Sequence, residues 1–117
     1  MSILNDLNVF LGSESKPFLN QGLSLVEVAK LLKVTPQQLS QVVNEKTNLN
    51  FTNYINSYRI EKAKEILLTL DFTRQTIDSV ANMAGFKSKS PFYLAFKKYT
   101  GMTPSEFIKL HNNLREV

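Results

Sequence analysis

Gln37, Gln38, Ser40, Gln41 and Asn44 put four amides and a hydroxyl within eight residues, and each of these side chains both donates and accepts hydrogen bonds. Carried outward on one helix, such groups match the donor and acceptor pattern that base edges show in the major groove of a duplex. Farther along, Lys87, Lys89, Lys97 and Lys98 occupy a twelve-residue window that contains no acid, a local charge suited to phosphate. Other chemistries lack material. With no cysteine there is no disulfide framework, thiolate metal site or catalytic thiol. His111 is the only histidine, so no histidine pair exists for a metal or a proton relay, and a partly buried packing role is expected of it. No glycine loop of the phosphate-cradling kind occurs, and Glu61 and Glu65 are expected to pair with Lys62 and Lys64 three or four residues away. No catalytic residue, metal ligand or cofactor is therefore assigned, and the chain is not expected to be an enzyme.

At 117 residues the chain suffices for one domain of average size or two very small lobes. Its 43% hydrophobic and 21% charged residues, with four glycines and four prolines, mark a folded rather than a disordered protein. No apolar run approaches the roughly 20 residues that span a bilayer, so a soluble chain without membrane contact is expected. The absence of cysteine favours a reducing, intracellular compartment. The net charge of +4 suggests an anionic partner, and its distribution is uneven. Residues 1–58 balance four lysines against four acids, whereas residues 59–117 hold ten bases (Arg59, Lys62, Lys64, Arg74, Lys87, Lys89, Lys97, Lys98, Lys109, Arg115) against six acids.

The chain is internally repeated. Residues 25–55 can be laid over 77–108 with one inserted residue. Leu25, Val28, Ala29 and Leu32 recur at helical spacing, as do Ile77, Val80, Ala81 and Ala84. After a turn containing Lys33 in one copy and Gly85 in the other, a second helical stripe follows: Leu39, Val42, Val43 against Phe92, Ala95, Phe96, Tyr99. A third follows that: Phe51, Tyr54, Ile55, Tyr58 against Pro104, Phe107, Ile108, His111. Thr35 and Ser88 are placed to cap the second helices, Asn48 and Gly101 to end them in the left-handed conformation, and Asn50 and Thr103 to start the third. Residues 52–70 read as one helix of about 28 Å at 1.5 Å per residue. Its stripe shifts from Phe51, Tyr54, Ile55, Tyr58 to Ala63, Ile66, Leu67, Leu70, a rotation of roughly 120° that docks one end in each lobe. The expected fold is all-α: a leading helix and connection over 1–22, with Ile3, Leu4, Leu7, Phe10 and Leu11 at helical spacing; a helix-turn-helix unit over 23–58; a linker helix over 52–70; and a second helix-turn-helix unit over 74–113.

These residues resemble the AraC/XylS-type regulators, over nearly all of 23–108. The resemblance is carried by Leu25-x-x-Val28-Ala29, Val34-Thr35-Pro36-x-x-Leu39-Ser40-x-Val42, Tyr58-Arg59-Ile60-x-x-Ala63, and most specifically Ala84-Gly85-Phe86-x-Ser88-x-Ser90-x-Phe92-x-x-Ala95-Phe96-Lys97-Lys98-Tyr99-x-Gly101-Met102-Thr103-Pro104-Ser105. It implies two recognition helices for double-stranded DNA. With the exposed positions above, Pro36, Gln37, Ser40, Gln41, Lys89, Ser90, Tyr93 and Leu94 are expected to face bases, and Thr35, Lys46, Lys87, Ser88, Lys97 and Lys98 to face phosphates. Gln41 and Leu94 stand where many members carry a basic side chain, and Leu94 suits a thymine methyl rather than a guanine. Val43-Asn44-Glu45 stands where an aromatic and two lysines are common, so the second unit is expected to supply most of the phosphate attraction. The first is then expected either to read sequence or to contact DNA weakly.

Two helices of unlike chemistry imply successive major-groove segments of an asymmetric site, about 34 Å apart for one turn of DNA. If the spacing falls short, bending the DNA costs of order 1 to 6 kcal/mol or one helix disengages. The resemblance also brings RNA polymerase and an upstream sensor domain into consideration as partners, with the bacterial cytoplasm as location. The chain reads either as the output domain of a longer protein or as a complete short regulator. A helical adaptor that binds a protein through the same outer faces is the alternative reading; its binding to DNA would lack a steep salt dependence.

Overall fold

The structure, a computed structural model, describes residues 2–69 and 76–115, with side chains placed through 112. Leu70 and position 74, expected to close the linker stripe and to open the second unit, lie outside the described residues. Seven α-helices and a 3₁₀ turn make up these residues: α1 (Ile3–Leu11), the turn Pro17–Leu19, α2 (Leu25–Leu31), α3 (Pro36–Thr47), α4 (Phe51–Thr69), α5 (Ile77–Met83), α6 (Lys89–Thr100) and α7 (Pro104–Arg115). The all-α expectation holds.

Local chemistry sets the helix boundaries. Six of the seven described helices begin where a side-chain oxygen accepts the backbone N–H three residues on: Ser2 from Asn5, Ser24 from Glu27, Thr35 from Gln38, Asn50 from Asn53, Thr76 from Ser79 and Thr103 from Glu106. At α3 the bond is reciprocated, because the Gln38 carboxamide oxygen accepts the Thr35 N–H at 2.9 Å. At α7 the Glu106 carboxylate accepts the Thr103 N–H at 2.9 Å, and these bonds hold Glu106 below the usual carboxylate range. The exception is α6. Ser88 has φ −157° and ψ 176° where Thr35 has −80° and 154°, and its hydroxyl makes no capping bond. Lys87, the residue inserted between the copies, precedes it and changes the chain's approach, so the expected cap is absent.

The turns between first and second helices are the same in both copies. Lys33 N–H reaches the Lys30 carbonyl and Val34 N–H the Ala29 carbonyl; Gly85 N–H reaches Asn82 and Phe86 N–H reaches Ala81, at 2.8 to 3.2 Å throughout. This helix ending requires a left-handed residue, and Lys33 (φ 61°) and Gly85 (φ 95°) both supply it. Only one of them is glycine, and a side chain there is strained by roughly 1 kcal/mol. Lys33→Gly is therefore expected to stabilise the first unit by about 0.5 to 1 kcal/mol and Gly85→Ala to destabilise the second by about 1 to 2 kcal/mol, read from the midpoints of thermal melts. Asn48 (φ 60°) and Gly101 (φ 78°) end α3 and α6 in the same conformation, as the sequence suggests.

Two compact units result, Met1–Tyr58 and Arg59–Val117. In the first, Leu7, Leu11, Phe18, Val28, Ala29, Leu39, Val43, Phe51 and Ile55 form the core. Helix α1 packs on α3, and the Asn8 side chain accepts the hydroxyls of both Tyr54 and Tyr58 from α4. Burial first, and then the neighbouring Tyr54 hydroxyl, push Tyr58 up to about 12. In the second unit, Ile60, Ala63, Leu67, Val80, Ala81, Ala84, Phe86, Phe92, Ala95, Phe96 and Phe107 are buried together. Their aromatic rings run in sequence from Phe86 to Phe92, Phe96, Phe107 and His111, with centroid separations of 5.4, 5.7, 5.4 and 4.1 Å. His111 also meets the Phe107 carbonyl at 2.9 Å, in the packing role expected of it.

The nineteen residues of α4 serve both cores with different stripes, which is why no single apolar face runs its length. Its exposed side carries the expected ion pairs, Lys64–Glu61 at 3.1 Å and Lys62–Glu65 at 3.6 Å. Arg59, counted above toward the basic excess, is instead 8% exposed, its guanidinium 5.9 Å from the centre of the Phe86 ring, and burial lowers its pKa. No helix among the described residues is long and apolar enough to cross a membrane.

Candidate nucleic-acid interface

The second helix of each unit buries one stripe and exposes the opposite ridge. In α3, Leu39 and Val43 are fully buried and Val42 is half-buried; Pro36, Gln37, Gln41 and Asn44 are exposed and Ser40 is half-exposed. In α6, Phe92, Ala95 and Phe96 are buried; Lys89, Ser90, Leu94, Lys97 and Lys98 are exposed and Tyr93 is half-buried. Leu94, 75% exposed, is the most exposed large apolar side chain among the described residues.

Beside each ridge lies an open concavity. The first is lined by Leu25, Pro36, Gln37, Ser40, Gln41, Asn44 and Asn50, and the second by Ser90, Tyr93, Leu94, Lys97 and Thr103. Five lining positions correspond in the repeat: Gln37 with Ser90, Ser40 with Tyr93, Gln41 with Leu94, Asn44 with Lys97 and Asn50 with Thr103. The fold therefore builds the same recess twice, between the exposed helix and the start of the next, and the sequence furnishes it differently each time. The first lining is carboxamide and hydroxyl with the apolar Leu25 and Pro36 beside them; the second combines two aliphatic hydroxyls, a tyrosine ring, an exposed leucine and an ammonium.

The expected site residues sort accordingly. Pro36, Gln37, Ser40 and Gln41 share the first recess, and Ser90, Tyr93 and Leu94 share the second together with Lys97, which had been expected only to face phosphate. Thr35, Lys87, Ser88 and Lys98 are exposed around these ridges. Lys46 is exposed, but it lies nine residues beyond Gln37, roughly half a turn around α3, and so is not on this ridge. Gln38, read as one of the outward amides, commits its carboxamide oxygen to the α3 cap. Leu25, Asn50 and Thr103 are additions; their place in the repeat, at the starts of neighbouring helices, was the available signal.

Two engagements within the sites were not visible in the local pattern. The Gln41 amide nitrogen donates to the Glu45 carboxylate at 3.0 Å, which engages one of its two N–H groups. Lys89 is not in an acid-free environment: its ammonium lies 3.8 Å from the Asp78 carboxylate of α5 and 5.3 Å from the centre of the Tyr93 ring. Burial first, and then Asp78, raise the Tyr93 pKa.

The family profile for a helix-turn-helix domain matches residues 28–110. The melibiose operon regulatory protein of Escherichia coli (strain K12) is 31% identical over 97 residues, covering 83% of this chain and 31% of that protein. The chain thus spans less than a third of that relative's length. Among solved structures, the C-terminal domain of AraT, a response regulator from Geobacillus stearothermophilus, superposes with a TM-score of 0.78 at 27% identity, covering 94% of this chain and 86% of that one. The DNA-binding domain of AdpA, a global transcriptional factor in complex with a target DNA, shares the fold with a TM-score of 0.79 at 16% identity, covering 99% and 98%.

Proposed function

From the premise that this chain belongs to the AraC-type helix-turn-helix family, we propose that it binds double-stranded DNA sequence-specifically as the output domain of a transcriptional regulator, with α3 and α6 as recognition helices. The observation that carries this reading is the repeated recess. Two exposed helices offer unlike hydrogen-bonding and apolar groups at matching positions, which suits an asymmetric site with two different halves.

Base readout falls to Pro36, Gln37, Ser40, Gln41, Ser90, Tyr93 and Leu94, with Lys89 at the entry to α6. Thr35, Lys87, Ser88, Lys97 and Lys98 hold phosphates. Glu45 accepts one of the two N–H groups of Gln41, so its carbonyl oxygen and its other N–H remain for a base edge, a pair that suits the exocyclic amine and N7 of adenine. In the melibiose regulator the matched stretch is a minority of the chain, which supports an output domain coupled to a separate sensor domain. RNA polymerase is the proposed protein partner and the bacterial cytoplasm the proposed location.

Gln37→Ala tests the assignment of readout. It is expected to cost about 1 to 3 kcal/mol at one or two base pairs of the preferred site and little elsewhere, measured by binding to a panel of single-base variants. A uniform loss across the panel would remove Gln37 from base reading.

A further inference from the structure

On the DNA-binding reading above, on which this inference rests, the second recognition helix is restrained from α5. Asp78 lies in the first turn of α5, eleven residues before Lys89 in the chain, and three contacts close a triangle around it. Its Oδ2 is 3.8 Å from Lys89 Nζ, its Oδ1 accepts the Tyr93 hydroxyl at 3.4 Å, and Lys89 Nζ lies over the Tyr93 ring at 5.3 Å. The triangle therefore joins one residue of α5 to two that the DNA reading places toward bases. It is also absent from the other copy, where the corresponding positions are Val26, Pro36 and Ser40 and no carboxylate or ammonium is present.

An untethered lysine on a four-carbon stem reaches whatever phosphate is near, and every sequence supplies phosphates. A carboxylate beside it competes for the ammonium and repels the backbone of any duplex that approaches. A ring beneath it fixes where it waits. We propose that Asp78 is a positioning and specificity residue, holding Lys89 over Tyr93 so that the ammonium contributes little to binding of arbitrary DNA and is released only to a duplex offering a well-placed acceptor. The guanine N7 and O6 atoms are the base-edge groups of that kind.

The test compares the whole chain with Asp78→Asn, Asp78→Glu, Lys89→Ala and the Asp78→Asn/Lys89→Ala double variant, using two duplexes: the best sequence recovered from a random pool and a scrambled version. Asp78→Asn is expected to tighten binding of the scrambled duplex roughly two- to fivefold, to change the preferred duplex less, and to steepen the salt dependence by about one unit of slope. The gain is expected to vanish in the Lys89→Ala background, and Asp78→Glu to keep scrambled binding near the parent's. A gain of equal size without Lys89 overturns the proposal, because Asp78 would then act through its own charge alone. If the parent binds duplex with the usual salt dependence and Asp78→Asn changes nothing, only this proposal falls. If the parent shows no salt-dependent duplex binding, the DNA reading falls with it.

Discussion

Replacing Lys97 and Lys98 together by alanine is expected to weaken binding to every duplex, preferred or scrambled, by roughly ten- to hundredfold, and to flatten the salt dependence by about two units of slope. Both side chains are exposed, and Lys97 lines the second recess. They close the last turn of α6, where cations also complement the helix dipole, so part of their effect is on the helix itself. A thermal melt of the double variant without DNA separates the two contributions, since loss of the dipole interaction lowers the stability of the free protein whereas loss of phosphate contacts does not. A loss confined to particular sequences would assign these lysines to bases rather than phosphates.

The second large effect concerns stability. Phe92 is fully buried at the centre of the aromatic series of the second unit, in contact with Phe86, Tyr93 and Phe96. Truncating such a residue to alanine removes the transfer energy of the ring and leaves a cavity, about 3 to 5 kcal/mol together. A unit of this size has little more stability than that to lose. Phe92→Ala is therefore expected to unfold the second unit, while α2 and α3, which pack around Leu39 and Val43, keep their own core. Hydrogen exchange would show it: amides of α5, α6 and α7 lose protection, and those of α2 and α3 retain it. Joint loss in both units would mean that the two cores unfold as one.

Features set by local chemistry could be read before any coordinates. The α3 cap at Thr35, the left-handed stops at Asn48 and Gly101, the ion pairs along α4 and its change of stripe all depend on residues within a few positions of one another. The repeat extended that reach, because a pattern seen twice is less easily mistaken for an ordinary solvated helix face. What escaped depends on distance along the chain or on one dihedral angle. Asn8 bonds to tyrosines 46 and 50 residues away, and Asp78 reaches Lys89 only because α5 and α6 are brought together by the Gly85 turn. Phe18 enters the first core from a three-residue turn too short to show a period.

The site was similarly divided. The exposed ridges followed from knowing which residues are buried, so Gln37, Ser40, Gln41, Ser90 and Leu94 could be named from the stripes alone. The engagement of their neighbours could not. Gln38 and Gln41 are the same residue type on one helix, yet one closes a cap and the other donates to Glu45. Side-chain type gives the inventory of donors and acceptors, and geometry decides which remain for a ligand. Arg59 makes the same point for charge, being a base in the composition and a buried packing group in the fold.

Selection of bound duplexes from a random pool at physiological salt addresses the double-reader claim most directly. The expected result is enrichment of a motif with two dissimilar segments, one changed by substitution at Gln37 and the other by substitution at Ser90 or Leu94. Recovery of sequences indistinguishable from the starting pool, or of a motif indifferent to both sets of substitutions, would contradict the assignment of α3 and α6 as recognition helices.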